Sequence, residues 1–225
     1  MPTNTSATTP TTTQATTRAD TPSRRGRPRA GEREERERRI VEAALEELIE
    51  HGYEKVTMLA VARRAGASKE TLYSWFGSKE GLFSALIEAN ADQSAERIAT
   101  ALDSDDDPVA VLTAYAVGLL TLLTSPGSLA LNQAAMSSPT LAETLLASGR
   151  HRVGPIVERY LAHLGEAGNL RIEDPAEAFE LLYGLVVRDT QIRALLGESA
   201  PTARSIQERA DRAVADFVRL ASPSG

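Results

Sequence analysis

Cysteine is absent from the 225 residues, which excludes disulfide frameworks, thiolate-bound zinc and cysteine nucleophiles. Aromatic residues make up only 4% of the chain, and an apolar share of 42% that is rich in alanine suits close-packed helices better than sheet. No apolar run follows Met1, so a secretory signal is not expected, and a reducing cytoplasm is the expected setting. Histidine is scarce and dispersed, at His51, His151 and His163. Asp103, Asp105 and Asp107 have the first spacings of a calcium loop, but Pro108 stands where that loop needs glycine and Ala114 where it needs glutamate. GxSxG, HExxH, Walker and dinucleotide patterns are all missing. No catalytic residue, cofactor or metal site is therefore expected.

At roughly 150 residues per domain, the length allows one large domain or two small ones. The longest uncharged stretch, Pro108 to Ala142, is broken by Pro126 and Gly127. Its first piece, Val109 to Thr124, falls short of the ~20 residues that span a bilayer, so a helix buried among other helices is expected there. Net charge is −6, yet it is unevenly spread. Residues 1–80 hold 14 Lys and Arg against 12 Asp and Glu, while residues 81–225 hold 11 against 19, so the two halves face different partners. Arg24-Arg25-Gly26-Arg27-Pro28-Arg29 concentrates four positive charges without an acid, as a phosphate-seeking segment does.

Residues 1–23 are mostly Thr, Pro, Ser and Ala and offer little to bury, so residues 1–31 read as a disordered tail carrying the basic arm. From Glu32 onward, acids precede arginines by four residues, as in Glu32/Arg36, Glu34/Arg38 and Glu35/Arg39, which favours a helix. Ile40, Val41, Ala44, Leu45, Leu48 and Ile49 give it one apolar face, and Gly52 stops it. Thr57 can cap a short helix, Met58 to Arg64, with Leu59, Val61 and Ala62 as its apolar members. Ala65-Gly66-Ala67 then turns the chain, Ser68 caps a helix through Trp75, and Ser78 opens a long helix carrying Leu82, Phe83, Leu86 and Ile87. Two short helices joined by a glycine turn make a helix-turn-helix unit. Beyond Asp103 the expected helices are Pro108 to Thr124, Ser128 to Met136, Ser138 to Leu164, Pro175 to Leu196 and Ala203 to Leu220. Phe179, Leu182, Tyr183, Val186 and Thr190 stripe the fourth, and Ile206, Ala210, Ala213, Val214 and Phe217 the fifth.

Ile40, Ala43-Ala44, Gly52, Thr57, Val61-Ala62, Ala65-Gly66, Ser68, Thr71-Leu72-Tyr73, Phe76, Lys79-Glu80 and Leu82 stand at spacings that resemble the DNA-binding domain of the tetracycline-repressor (TetR/AcrR) family. Met58 departs from the threonine or serine often found there and removes one possible hydroxyl to phosphate. The stretch from Met136 to Leu196 is similar to the AefR-like C-terminal branch. The resemblance implies an all-α fold: a three-helix DNA-binding domain over residues 32–80, then a helical effector-binding and dimerisation domain over residues 81–225. It also implies that Tyr73 and Lys79 meet backbone phosphate with Trp75 beside them, and that the last two long helices form a dimer interface.

Lys69, Glu70, Thr71, Tyr73 and Ser74 lie on the second helix of the unit, the one that enters the major groove. Lysine can donate to guanine and glutamate can accept from cytosine; the plain alternative is a solvated helix face. With Thr57, Trp75, Lys79 and the arm residues Arg25, Arg27 and Arg29 they form the expected DNA-binding set. Arg25-Gly26-Arg27-Pro28 reads equally as an AT-hook core for a narrow minor groove or as an unspecific basic arm. Tyr115, Asn132, Gln133, Met136, Tyr160 and Tyr183 are polar-tipped or adaptable residues within apolar helices, a set able to line an effector pocket or simply to be satisfied where they stand. The resulting expectation is a dimeric transcription regulator, most readily a repressor that leaves a palindromic operator on binding a small, largely apolar effector. A helical small-molecule enzyme and an architectural AT-hook-like protein are the alternatives.

Overall fold

A computed structural model describes residues 30–103 and 106–222 of the chain. Eleven helices and no strand occur among them. The N-terminal four are α1 (Ala30–His51), α2 (Met58–Arg64), α3 (Lys69–Phe76) and α4 (Lys79–Leu102). The rest are α5 (Pro108–Leu123), α6 (Pro126–Met136), α7 (Pro139–Ser148), α8 (Arg150–Glu166), α9 (Pro175–Val187), α10 (Thr190–Leu195) and α11 (Ala203–Leu220). Short polar residues start most of them. Thr57, Ser68, Ser78, Asp107, Ser125, Ser138, Asp174 and Thr202 each accept a hydrogen bond from the first turn of the helix they precede. Such a cap contributes about 1 kcal/mol.

Several boundaries differ from the periodic pattern. The apolar run from Ser138 to Leu164 is two helices, because the chain bends at Gly149, where an added Cβ would sit 2.8 Å from the Leu145 carbonyl oxygen. A lone glycine in a helical pattern costs only about 1 kcal/mol against alanine, so the pattern alone does not announce the break. The run from Pro175 to Leu196 likewise divides at Arg188, whose φ of 48° ends α9 and places Thr190 at the start of α10 rather than on the α9 stripe. The uncharged stretch does break at Pro126, where α5 and α6 bend by 59°, and α6 starts there rather than at Ser128, since proline's fixed φ suits the first helical position. The expected ion pairs of α1 rearrange too. Arg38 pairs with Glu35 at 2.8 Å and Glu42 at 2.5 Å rather than with Glu34. Arg36, expected to meet Glu32, instead stands with Arg33 over the Trp75 ring, at 5.8 and 5.4 Å from its centroid.

The buried side chains fall into two clusters. One joins Ile40, Ala44, Leu48, Val61, Leu72, Leu82 and Phe83 to Leu131 and Leu141, so α6 and α7 help close the core beneath the helix-turn-helix. The other is formed by α5, α8, α9 and α11 around Leu112, Leu161, Leu182 and Phe217. Two residues expected on apolar faces, Ile49 and Leu59, are 45% and 44% exposed. Glu47 is buried in their stead, accepting a hydrogen bond from Arg64 Nε at 2.7 Å that ties α2 to α1. No single helix among the described residues is long and apolar enough to cross a membrane, and α5 is packed within the second core cluster.

Candidate nucleic-acid interface and effector cavity

In the helix-turn-helix, Gly66 takes a φ of +62°, which a side chain rarely adopts, and lets the Ala67 N–H reach the Ala62 carbonyl at 2.9 Å. Ser68 then accepts from the Thr71 N–H at 3.1 Å and meets the Thr71 hydroxyl at 3.0 Å, so both side chains are engaged in starting α3. Leu72 is fully buried and fixes which face of α3 points inward. Lys69, Glu70, Tyr73 and Ser74 are consequently exposed together on the opposite side. The Lys69 ammonium lies 5.5 Å from the Tyr73 ring centroid. A hydrogen bond from its own backbone, then the Ser68 hydroxyl and the Lys69 charge, hold the Glu70 carboxyl below its ordinary pKa, so it is an acceptor at neutral pH. Thr57 is exposed, and its oxygen is the α2 cap.

Two members of the expected DNA set are held more tightly than their sequence suggests. Trp75 is half-buried against the first core cluster beneath the Arg33 and Arg36 guanidiniums. Lys79 is half-buried at the start of α4, donating to the Tyr53 carbonyl with its ammonium 4.2 Å from the Tyr53 ring centroid. Burial lowers its pKa from the ordinary lysine value. Arg25, Arg27 and Arg29 of the basic arm lie outside the described residues, as does Asp105.

Behind this unit, a cavity of about 320 Å³ opens among α4 to α10. Its walls are mainly apolar, from Ile87, Leu119, Leu131, Leu145, Val153 and Phe179. Tyr115, Asn132 and Tyr183 line it as well; Gln133, Met136 and Tyr160 do not. Met136 is 69% exposed at the end of α6. Gln133 faces outward and reaches the Leu195 carbonyl at 3.5 Å, the outer limit of a hydrogen bond. Tyr160 packs against the α5, α8, α9 and α11 core. Helical periodicity selects residues on apolar helices without telling which side faces a void, which is why the six divide. Sequence reasoning also missed Arg150, the single charged residue on the cavity wall. An arginine at the head of an unrecognised helix carries no local signal, and only the bend at Gly149 brings it there.

The cavity and the helix-turn-helix share α4, which begins at Lys79 and lines the cavity with Ile87, Asn90, Ala91, Ser94 and Ile98. Ser138, the α7 cap, also donates to Glu80 in the first turn of α4. Any displacement of α7 by a molecule in the cavity thus has a direct contact to the base of the recognition unit.

Comparison with known proteins follows this division of the chain. Residues 40–86 match the model of the bacterial regulatory proteins of the tetR family, and residues 110–220 match that of the AefR-like transcriptional repressor C-terminal domain. A TetR transcriptional regulator of Agrobacterium tumefaciens is 34% identical, with a TM-score of 0.67 over 83% of this chain and 94% of that one. A TetR-family regulator of Mesorhizobium loti shares the fold, with a TM-score of 0.78 at 24% identity over 84% of this chain and 98% of that one. The HTH-type transcriptional activator FasR of Mycolicibacterium smegmatis is 35% identical over 98 residues, 40% of this chain and 45% of FasR. The matched stretch spans about half the length of such curated relatives. The family consists of transcriptional regulators rather than enzymes, and on the two family matches together with the Agrobacterium likeness, this chain belongs to the TetR family of bacterial regulatory proteins.

Proposed function

We propose that the protein is a homodimeric, cytoplasmic repressor that binds a palindromic operator in double-stranded DNA and is released by a small, largely apolar effector. The observation that carries this reading is the continuity of α4 from the helix-turn-helix to the cavity wall. An effector that prefers the conformer with misplaced recognition helices lowers operator affinity, by about 1–3 kcal/mol in typical cases. Residues 32–80 serve as the DNA-binding domain and residues 81–225 as the effector and dimerisation domain, although α6 and α7 also support the first. Lys69, Glu70, Thr71 and Ser74 face the major groove from α3, while Tyr73 and Lys79, with Trp75 beside them, and Thr57 serve the DNA backbone.

Dimerisation is assigned to the outer face of α9 and α11. That face leaves Leu181 and Leu220 exposed and has a shallow groove of about 730 Å³. It carries Arg188, Arg209 and Arg212 together with Glu180 and Asp216, so a two-fold pairing can match unlike charges. Repression is supported by the AefR-like repressor model, whereas FasR acts as an activator, so the sign of regulation is read most directly from a reporter. Selecting bound DNA from a random library should return an inverted repeat, and the protein should sediment as a dimer. Full-affinity binding of a monomer to one half-site would overturn the dimeric reading. Replacing Arg25, Arg27 and Arg29 with serine should flatten the salt dependence by ~0.9 in log–log slope for every phosphate that the arm neutralises in the wild type. An unchanged slope would mean that the arm does not touch DNA.

A further inference from the structure

The cavity wall is chemically lopsided. Arg150 is its single charged side chain, and no carboxylate lines it. The guanidinium rests 4.9 Å from the Tyr183 ring centroid and 5.4 Å from that of Phe179, which fixes its orientation toward the aromatic side of the cavity. It pairs with Glu180 through one nitrogen at 3.3 Å, and that carboxylate lies outside the cavity, on the face assigned to dimerisation. Arginine has five N–H donors, leaving most of them for another acceptor.

Two neighbouring hydroxyls can donate beside it. Tyr115 is 3% exposed and lines the void, and its hydroxyl makes no hydrogen bond among the described residues. Burial raises the pKa of both Tyr115 and Tyr183, so both phenols stay protonated and can donate near neutral pH. The Ser94 hydroxyl, by contrast, already donates to the Asn90 carbonyl, and the Asn132 amide to the Ser128 carbonyl. The first N–H groups of α8 lack a side-chain cap because Gly149, packed against the Leu145 carbonyl, supplies none, so the positive end of a 17-residue helix adds to the guanidinium.

From this arrangement we infer that the effector is an amphipathic anion, its acidic group held by Arg150 and the Tyr115 and Tyr183 hydroxyls and its apolar body lying among Leu119, Leu131 and Val153. The inference rests on the reading of this cavity as the effector site. A carboxylate head gains charge-assisted, forked hydrogen bonds from the guanidinium that a neutral head cannot match. A cationic head would meet Arg150 with no lining carboxylate to offset it.

Decanoate, 1-decanol and decylammonium share one apolar body and differ in head charge, and their binding to the full-length protein can be measured by calorimetry without DNA. Decanoate should bind at least tenfold more tightly than decanol, and decylammonium most weakly. Arg150→Met, which keeps an apolar stem of similar reach, should lose that preference while retaining decanol binding. Retained decanol affinity also shows that the variant is folded. Arg150→Lys should restore part of the preference, and Tyr115→Phe should weaken decanoate a few-fold. Equal binding of decanoate and decanol, a preference that survives Arg150→Met, or failure of all three probes to bind would each overturn the inference. If decanoate binds through Arg150 but leaves operator binding unchanged, the anion site stands and the effector-release reading falls.

Discussion

In the helix-turn-helix, every outward-facing candidate residue from Thr57 to Lys79 comes from one short stretch of chain, whereas the cavity is assembled from seven helices between Ile87 and Gln191. The first region is set by local signals: a threonine cap, a glycine at positive φ, a serine cap and one buried leucine. The second depends on how helices distant in sequence come to rest on one another. That difference explains why the outward-facing side of α3 follows from spacing alone while the cavity depends on how the helices pack. The two regions are nevertheless not independent, because Leu131, Ala134, Ala135 and Leu141 from α6 and α7 complete the core under the recognition unit.

That dependence is open to a direct attempt to break it. Phe83 is fully buried and meets Tyr53 edge-on at 5.2 Å between centroids, within the cluster shared by both regions. Phe83→Ala should cost about 3–5 kcal/mol. Trp75 is the sole tryptophan and sits in the N-terminal unit, so its fluorescence follows that unit while circular dichroism follows all the helices. In urea, the two signals should shift together in the variant. Separate transitions would mean that the recognition unit unfolds on its own.

Two lysines distinguish base reading from backbone contact on the proposed DNA-binding surface. Lys69 is exposed beside Tyr73 at the start of α3, so Lys69→Ala should lose about 1–3 kcal/mol of operator affinity and relax preference at one position in each half-site. Lys79 is half-buried against Tyr53. Its removal should weaken all sequences alike, reduce the salt slope and also lower thermal stability, as Lys69→Ala should not. Binding selections and melting curves on both variants check this; loss of base preference by the Lys79 variant alone would overturn the placement of the reading helix.

Arg64 tests how far the recognition unit depends on neighbours that its local signals do not reveal. It bonds Glu47 at 2.7 Å, Glu50 at 2.5 Å and Glu46 at 3.2 Å, fastening the end of α2 to α1. Arg64→Ala should lower Tm by about 4 °C, with partial recovery on adding Glu47→Leu to remove the stranded carboxylate. Hydrogen bonding to Arg64 lowers the Glu50 pKa. Its contribution is therefore present above the ordinary carboxylate pKa and disappears as pH falls through the lower folded-state value, so wild type and variant should converge in acid.

Legibility from sequence follows the same physical line. Caps and turns act over three or four residues, and the starts of α2, α3 and α4 are readable from Thr57, Ser68 and Ser78. The break at Gly149 is not readable, since a lone glycine inside a helical pattern costs only about 1 kcal/mol and is often tolerated, nor is the burial of Glu47, since its partner Arg64 comes from another helix. Arg150 was missed for both reasons at once. Tyr115 and Tyr183, in contrast, could be picked out as polar-tipped residues on apolar stripes, though not told apart from Tyr160.

The smallest expected effects decide whether that last distinction is real. Gln133 and Met136 are exposed away from the cavity and Tyr160 packs on its far side against the second core cluster, whereas Tyr115 and Tyr183 reach the void itself. Gln133→Ala, Met136→Ala and Tyr160→Phe should each change decanoate affinity by less than about 0.5 kcal/mol, the usual range for substitutions outside a site. Tyr115→Phe and Tyr183→Phe remove only an oxygen atom, so core packing is kept and the loss falls on the head-group hydrogen bond. Both should weaken decanoate by more than they weaken decanol. Calorimetry on the five variants with both probes separates the groups, and a Met136 or Gln133 effect as large as that of Tyr115 would place the ligand at the outer end of α6 instead of between α5 and α9.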